Sequence, residues 1–143
     1  MSDLKHTKKT VMVDVCQTQC LNGLDPLVIE EESSGSLYQV DPHTFILAFD
    51  SQIQDRKVTT TVKVSHGVLS VVRIGDVHTR QTFAAHEWYA SQYFFEGGTI
   101  VCRSFTKKLD YALTHDGGII DVLYELWSGD SHLGYFNLEL FIR

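Results

Sequence analysis

Three cysteines, seven histidines and an arginine set within an apolar stretch are the residues of this 143-residue chain whose types could do chemistry. Cys16 and Cys20 stand four apart, a spacing that invites a metal or redox reading. Both chemistries need the two sulfurs to converge within a few ångströms. On an extended strand, rising ~3.3 Å per residue, the two Cα atoms lie about 13 Å apart, so the pair can neither bridge nor share a zinc ion. No second Cys or His pair stands at the short spacing that structural zinc sites use. The three cysteines, with Cys102, are therefore expected to be reduced thiols serving as small core residues.

The histidines fall at positions 6, 43, 66, 78, 86, 115 and 132, with no two placed to meet on one metal from a single element. Most lie in expected turns, where a solvated imidazole is the ordinary outcome. Catalysis would also require a base, a nucleophile and an orienting group brought together by the fold. The chain has no Gly-x-Ser-x-Gly elbow and no His-Glu-x-x-His pair, and the glycine pairs at 97–98 and 117–118 lack the Gly-x-x-x-x-Gly-Lys context of a phosphate loop. No catalytic residue, metal site or cofactor is nominated, and an enzyme ranks behind the binding readings below.

Arg73 is different. It sits in VLSVVRIG on the same face as Leu69 and Val71, within a segment that is apolar on both sides, and an arginine there needs a partner. If that face lines an interior, its guanidinium offers a fixed, bidentate donor to a carboxylate or phosphate, with Tyr93 and Tyr124 as polar-tipped neighbours. The competing expectation, the one the residue types favour, pairs Arg73 with an internal acid such as Asp121 or Glu125, or has it cap the end of the fold.

The elements that must position these residues are read from alternation. Segments rich in Val, Ile, Thr, Phe and Tyr repeat with period two and are broken by Gly or Asx clusters about every ten residues. Val11, Val13 and Val15 share one face of the first. SLYQV and TFILAFDS form a hairpin around Asp41, Pro42 and His43, and KVTTTVKV and VLSVVRIG another around Ser65, His66 and Gly67. Further strands follow to Arg143. Residues 1–9 are expected to be a flexible tail and residues 22–35, with Asn22, Gly23, Pro26 and the run Glu30–Glu32, to be irregular.

No window carries a convincing helical stripe; the best, LDYALTHD at 109–116, is too short to cover a sheet. About ten sequential strands would leave two unpaired edges in an open sheet, and curling into a barrel removes them while burying one face. The expected fold is a single all-β domain over residues 1–143, an antiparallel up-and-down barrel of about eight to ten strands. In the last two strands Ile120, Val122, Tyr124 and Leu126, then Phe136, Leu138, Leu140 and Ile142, should point inward. The opposite faces carry Trp127, Tyr135 and Phe141, an aromatic strip that suggests a protein or homodimer interface unless the N-terminal segment covers it.

From Ser36 to Arg143 the chain resembles the uncharacterised bacterial YwiB-like family, through VVRIGDV with Arg73 and Gly75, then Phe83, Tyr93, Gly98, the step Thr106–Leu109, LYEL with Tyr124, and the closing NLELFIR. The resemblance implies a calycin-type, lipocalin-like barrel and supplies no established activity. Such an interior can hold one modest ligand. The function is thus expected to be non-catalytic binding of a small apolar or anionic molecule, with Arg73, Phe83, Tyr93 and Tyr124 as candidate contacts at the barrel interior or mouth. That reading fails if Phe83, Phe95, Tyr124, Phe136 and Leu138 fill the interior. The alternative is an interaction or homodimerisation module anchored by Trp127, Tyr135 and Phe141.

Charge narrows the partners. With 12 Lys and Arg against 18 Asp and Glu the net charge is −6, which repels rather than gathers a phosphate backbone, so nucleic acid is not expected. No apolar run reaches the ~20 residues of a membrane span, and MSDLKHTKKT lacks the hydrophobic segment of a secretory signal, so a cytoplasmic protein without membrane partners is expected.

Overall fold

The alternation read from the sequence becomes ten strands in a computed structural model that describes residues 7–53, 56–76, 78–95 and 97–143. They are β1 (Thr7–Leu21), β2 (Leu27–Asp41), β3 (Thr44–Ile53), β4 (Arg56–Ser65), β5 (Val68–Gly75), β6 (His78–Ala84), β7 (Trp88–Phe95), β8 (Gly98–Thr114), β9 (Gly117–Ser128) and β10 (Ser131–Ile142). Each pairs antiparallel with its sequence neighbours, and β1 pairs with both β2 and β10, so the meander closes into a barrel. Closure gives β1 a partner on each side and removes an edge from the sheet. Among the described residues no helix is long and apolar enough to cross a membrane.

Two expectations about the N-terminal third are corrected. Thr7, Lys8 and Lys9 belong to β1, in register with Gln39, Tyr38 and Leu37; residues 1–6 of the expected tail lie outside the described residues. Residues 27–35 are strand rather than irregular, because Ile29 and Glu31 take one side of the pleat and Glu30 and Glu32 the other, an alternation masked by three consecutive glutamates. Only residues 22–26 turn. The segment 109–116 is the end of β8 and its turn, as expected of a stretch too short to be a covering helix.

One end of the barrel is solid. Val13, Leu37, Leu47, Val64, Leu69 and Phe83 are almost wholly removed from solvent there, each burying apolar area at roughly 25 cal/mol per Å². The hairpin turns at this end are tight: His66 and Gly67 both have positive φ (50° and 79°), as a two-residue turn matched to strand twist requires. The Asp41 carboxylate accepts the His43 backbone N–H at 2.8 Å, which holds its pKa below the ordinary value. A bulge between Thr106 and Lys108 reverses the parity of β8, so Thr106 points inward before it and Leu109, Tyr111 and Leu113 pack on the core after it. The Gly67 N–H donates to the Tyr111 hydroxyl at 2.9 Å and ties β8 to the β4–β5 turn across the barrel end.

The other half of the wall is incomplete on one side. β2 and β3 pair only from Gly35 opposite Phe49 to Asp41 opposite Thr44, while Leu27–Ser34 runs on with β1 and Asp50–Ile53 with β4. Gly35 stands where they part, and a Cβ there would lie 2.6 Å from the Ala48 carbonyl oxygen. Across the gap the Glu31 carboxylate accepts the Gln52 backbone N–H at 3.2 Å, and along its own strand it accepts the Ser33 hydroxyl at 3.2 Å.

Candidate functional site

Above the packed half, Thr60, Arg73, Thr79, Gln81 and Tyr93 bring polar atoms to the inner face, and a cavity of about 480 Å³ opens inside the barrel. Its apolar wall includes Val62, Ile100, Leu126, Phe136, Leu138 and Leu140. Among the described residues, aromatic side chains therefore do not fill the interior, although Tyr124 and Phe136 stack at 5.4 Å and Phe83 packs under Tyr124 at 4.5 Å. Of Phe95 only the backbone is described.

The polar part of the wall is one rung of the sheet. Thr60 on β4 is paired with Arg73 on β5, Arg73 with Thr79 on β6, and Thr79 with Tyr93 on β7. These four side chains lie side by side on the inner surface and all line the cavity. One step deeper, Gln81 accepts from Arg73 Nη1 at 3.5 Å and donates through Nε2 to the Tyr93 hydroxyl oxygen at 3.2 Å. The Tyr93 proton is then free to be donated elsewhere. Burial pushes the Tyr93 phenol up, and likewise that of Tyr124, whose rise is opposed by hydrogen bonding to Gln81 and the charge of Arg73. Both stay protonated donors at neutral pH.

Arg73 is held by no acid among the described residues. Among the described residues no carboxylate lies within ion-pair distance, and the two expected partners are on the outside of the barrel. Asp121 accepts from Lys108 at 3.3 Å and from Asn137 at 2.8 Å, and Glu125 from Trp127 Nε1 at 3.1 Å. Thr60 and Thr79, 2% and 5% exposed, flank Arg73 with hydroxyls that have no hydrogen-bond partner among the described residues. Buried hydroxyls are ordinarily satisfied, and orphaning one costs about 1–3 kcal/mol.

Of the four candidate ligand contacts, Arg73, Tyr93 and Tyr124 meet at this cavity. Phe83 does not reach it: fully buried, it lies in the packed half, because it is two positions deeper along β6 than Gln81. Thr60, Thr79, Gln81 and Glu31 were not singled out in the sequence, though period two alone places Thr60 between Val58 and Val62 on the inner face.

The outer strip is divided rather than continuous. Trp127 and Tyr135 join His132 in edge-to-face contacts, and Trp88 and Phe105 extend that cluster. Arg103 lies over Trp88 at 4.9 Å and Lys107 over Tyr135 at 5.3 Å. Phe141 stands apart beside Ile119, at a shallow outer hollow of about 670 Å³ rimmed by Asp14, Glu30 and Glu139. The described part of the N-terminal segment, β1, lies beside β10 in the sheet rather than over the strip.

Cys16 and Cys20 are corrected from core to half-buried positions, because they share the outward parity of Met12 and Asp14; Cys102 is buried. Burial raises the Cys16 and Cys102 thiols, the former helped by Glu139 and Glu30, which disfavours thiolate chemistry. Among the described residues no three His, Cys, Asp or Glu side chains converge as a metal site would require.

A closed ten-stranded antiparallel barrel with an internal, arginine-bearing cavity is thus the class of protein that fold and site define. The chain belongs to the family described as a domain of unknown function, DUF1934, which matches residues 13–140. It is 28% identical over 113 residues, 79% of each chain, to the uncharacterized beta-barrel protein YwiB of Bacillus subtilis (strain 168). The crystal structure of the ywiB protein from Bacillus subtilis superposes with a TM-score of 0.81 at 24% identity, covering 95% of this chain and 94% of that one, which establishes the shared fold.

Proposed function

We propose that this protein is a calycin-type carrier or sensor that binds one small amphipathic molecule inside its barrel, in the cytoplasm and without catalysis. The observation that carries the reading is the interior cavity of about 480 Å³, within the roughly 300–1,000 Å³ typical of small-molecule sites, and of the usual kind: mostly apolar with a few convergent polar groups. Arg73, Tyr93 and Tyr124 are the proposed polar contacts.

Native mass spectrometry of protein purified gently from its source, compared with the denatured mass, tests it. An added mass of a few hundred daltons that is lost on denaturation supports the reading and reveals the ligand. A bare protein that also fails to take up any small amphiphile offered to it contradicts the reading.

A second reading has its own observation. The outward cluster of Trp88, Phe105, Trp127 and Tyr135 leaves Trp88 48% exposed and Tyr135 41% exposed, and large aromatics dominate interface energetics. A homodimer or partner seated there would appear in the same spectra. Monomeric behaviour at high concentration with no recovered partner counts against it.

A further inference from the structure

The rung Thr60–Arg73–Thr79–Tyr93 presents donors that no described residue takes up. A guanidinium carries five N–H donors and no acceptor. Among the described residues Arg73 spends one of them on a side chain, at 3.5 Å to Gln81. On either side of it a buried threonine hydroxyl is unpartnered, and the Tyr93 hydroxyl, with Gln81 donating to its oxygen, has its proton to give. All of these groups face the same cavity, and all can act as donors at once.

We infer that this rung is a seat for the carboxylate of a monoanionic amphiphile whose apolar tail lies along Val62, Leu126, Leu138 and Leu140; the inference rests on the ligand-binding reading above. Charge selects the class. Among the described residues the cavity wall carries one cation, Arg73, and one anion, Glu31, whose carboxylate takes its hydrogen bonds from Gln52 and Ser33 at the gap between β2 and β3 rather than from Arg73. A single guanidinium balances a carboxylate, and the two match bidentately. A phosphate monoester near two negative charges would leave one uncompensated in a low-dielectric interior, where an unpaired charge is costly. A neutral head would leave Arg73 itself unpaired. The hydroxyls of Thr60, Thr79 and Tyr93 then supply donors to the remaining carboxylate lone pairs.

Isothermal titration at pH 7.5, near the working range assumed for a carboxylate well above its ordinary pKa of about 4, separates the possibilities using decanoate, decanol and decyl phosphate. The seat requires decanoate to bind at least tenfold more tightly than decanol. Arg73→Met should weaken decanoate roughly 10- to 100-fold, the loss of a charge-assisted pair, while leaving decanol unchanged or tighter. The double variant Thr60→Val and Thr79→Val, which keeps side-chain shape, should weaken decanoate several-fold and serves if Arg73→Met does not fold.

Equal affinity for decanoate and decanol, or decanoate binding insensitive to both variants, overturns the carboxylate seat and leaves the ligand-binding barrel standing. Tighter binding of decyl phosphate than of decanoate overturns the choice of class. Failure of all three probes to bind overturns the seat together with the reading beneath it.

Discussion

The two halves of this barrel are built from the same strands and differ only in what points inward. At the end closed by Asp41–Pro42–His43 and Ser65–His66–Gly67, the inner face is Leu47, Val64, Leu69 and Phe83, part of one hydrophobic core cluster. Towards the other end the same β4, β5 and β6 present Thr60, Arg73 and Thr79, and space remains. The difference teaches that closure of the sheet and filling of the core are separate problems. Backbone pairing runs round the whole barrel, though β2 and β3 part beyond Gly35 and β6 and β7 pair only over His78–Arg80, while what points inward makes one half a core and the other a container.

The largest effect should come from the packed half. Phe83→Ala removes a fully buried ring lying 4.5 Å from Tyr124, and is expected to cost about 3–5 kcal/mol in denaturant unfolding. A loss below 1 kcal/mol would mean that this half is as loosely filled as the other. At the junction of the halves, Gly35→Ala drives a Cβ against the Ala48 carbonyl oxygen; overpacking of this kind costs about 1–3 kcal/mol, read as a lowered midpoint.

In the hollow half the sign reverses. Thr60→Val and Thr79→Val each delete a buried hydroxyl without a partner, so each should raise stability without ligand, by up to about 1–3 kcal/mol. Destabilisation comparable to that of Phe83→Ala would show that those hydroxyls are satisfied within the protein and that the two halves do not differ as described.

The smallest effect lies outside both halves. Arg143 donates to Asp14 at 3.0 Å and to Glu32 at 2.6 Å, and its hydrogen bond holds the Asp14 carboxyl below the ordinary 3.8. A carboxyl whose folded pKa is depressed contributes stability above its unfolded pKa and loses it as pH falls through the folded value. Asp14→Asn should therefore lower the midpoint slightly at neutral pH, and the difference should vanish in acid. The pair is exposed, so the shift is expected to be near the limit of detection.

Much of this architecture was legible in the sequence because a period of two survives translation into structure: the hairpins at Asp41 and Ser65, the inward faces of β9 and β10, and Arg73 on an apolar face all follow from parity. Depth along the barrel does not. Thr79, Gln81 and Phe83 share one parity, and only the register of β6 against β5 shows that the first two border a cavity and the third lies beneath it. Register likewise brings Thr60 and Thr79 against Arg73 from strands whose local patterns say nothing of one another. The run Glu30–Glu32 misled because composition overrode parity, and Cys16 and Cys20 because a preference for burial was weighed above the outward parity they share with Asp14.

The most direct test of a solid and a hollow half is methyl NMR of the folded protein titrated with 1-octanol, a neutral amphiphile indifferent to the arginine. A hollow upper half over a solid lower one gives shifts at Val62, Ile100, Leu126, Leu138 and Leu140, which line the cavity, with Leu47, Val64 and Leu69 still. Shifts confined to the outer methyls of Ile119 and Val28, or none at saturating octanol, would contradict it.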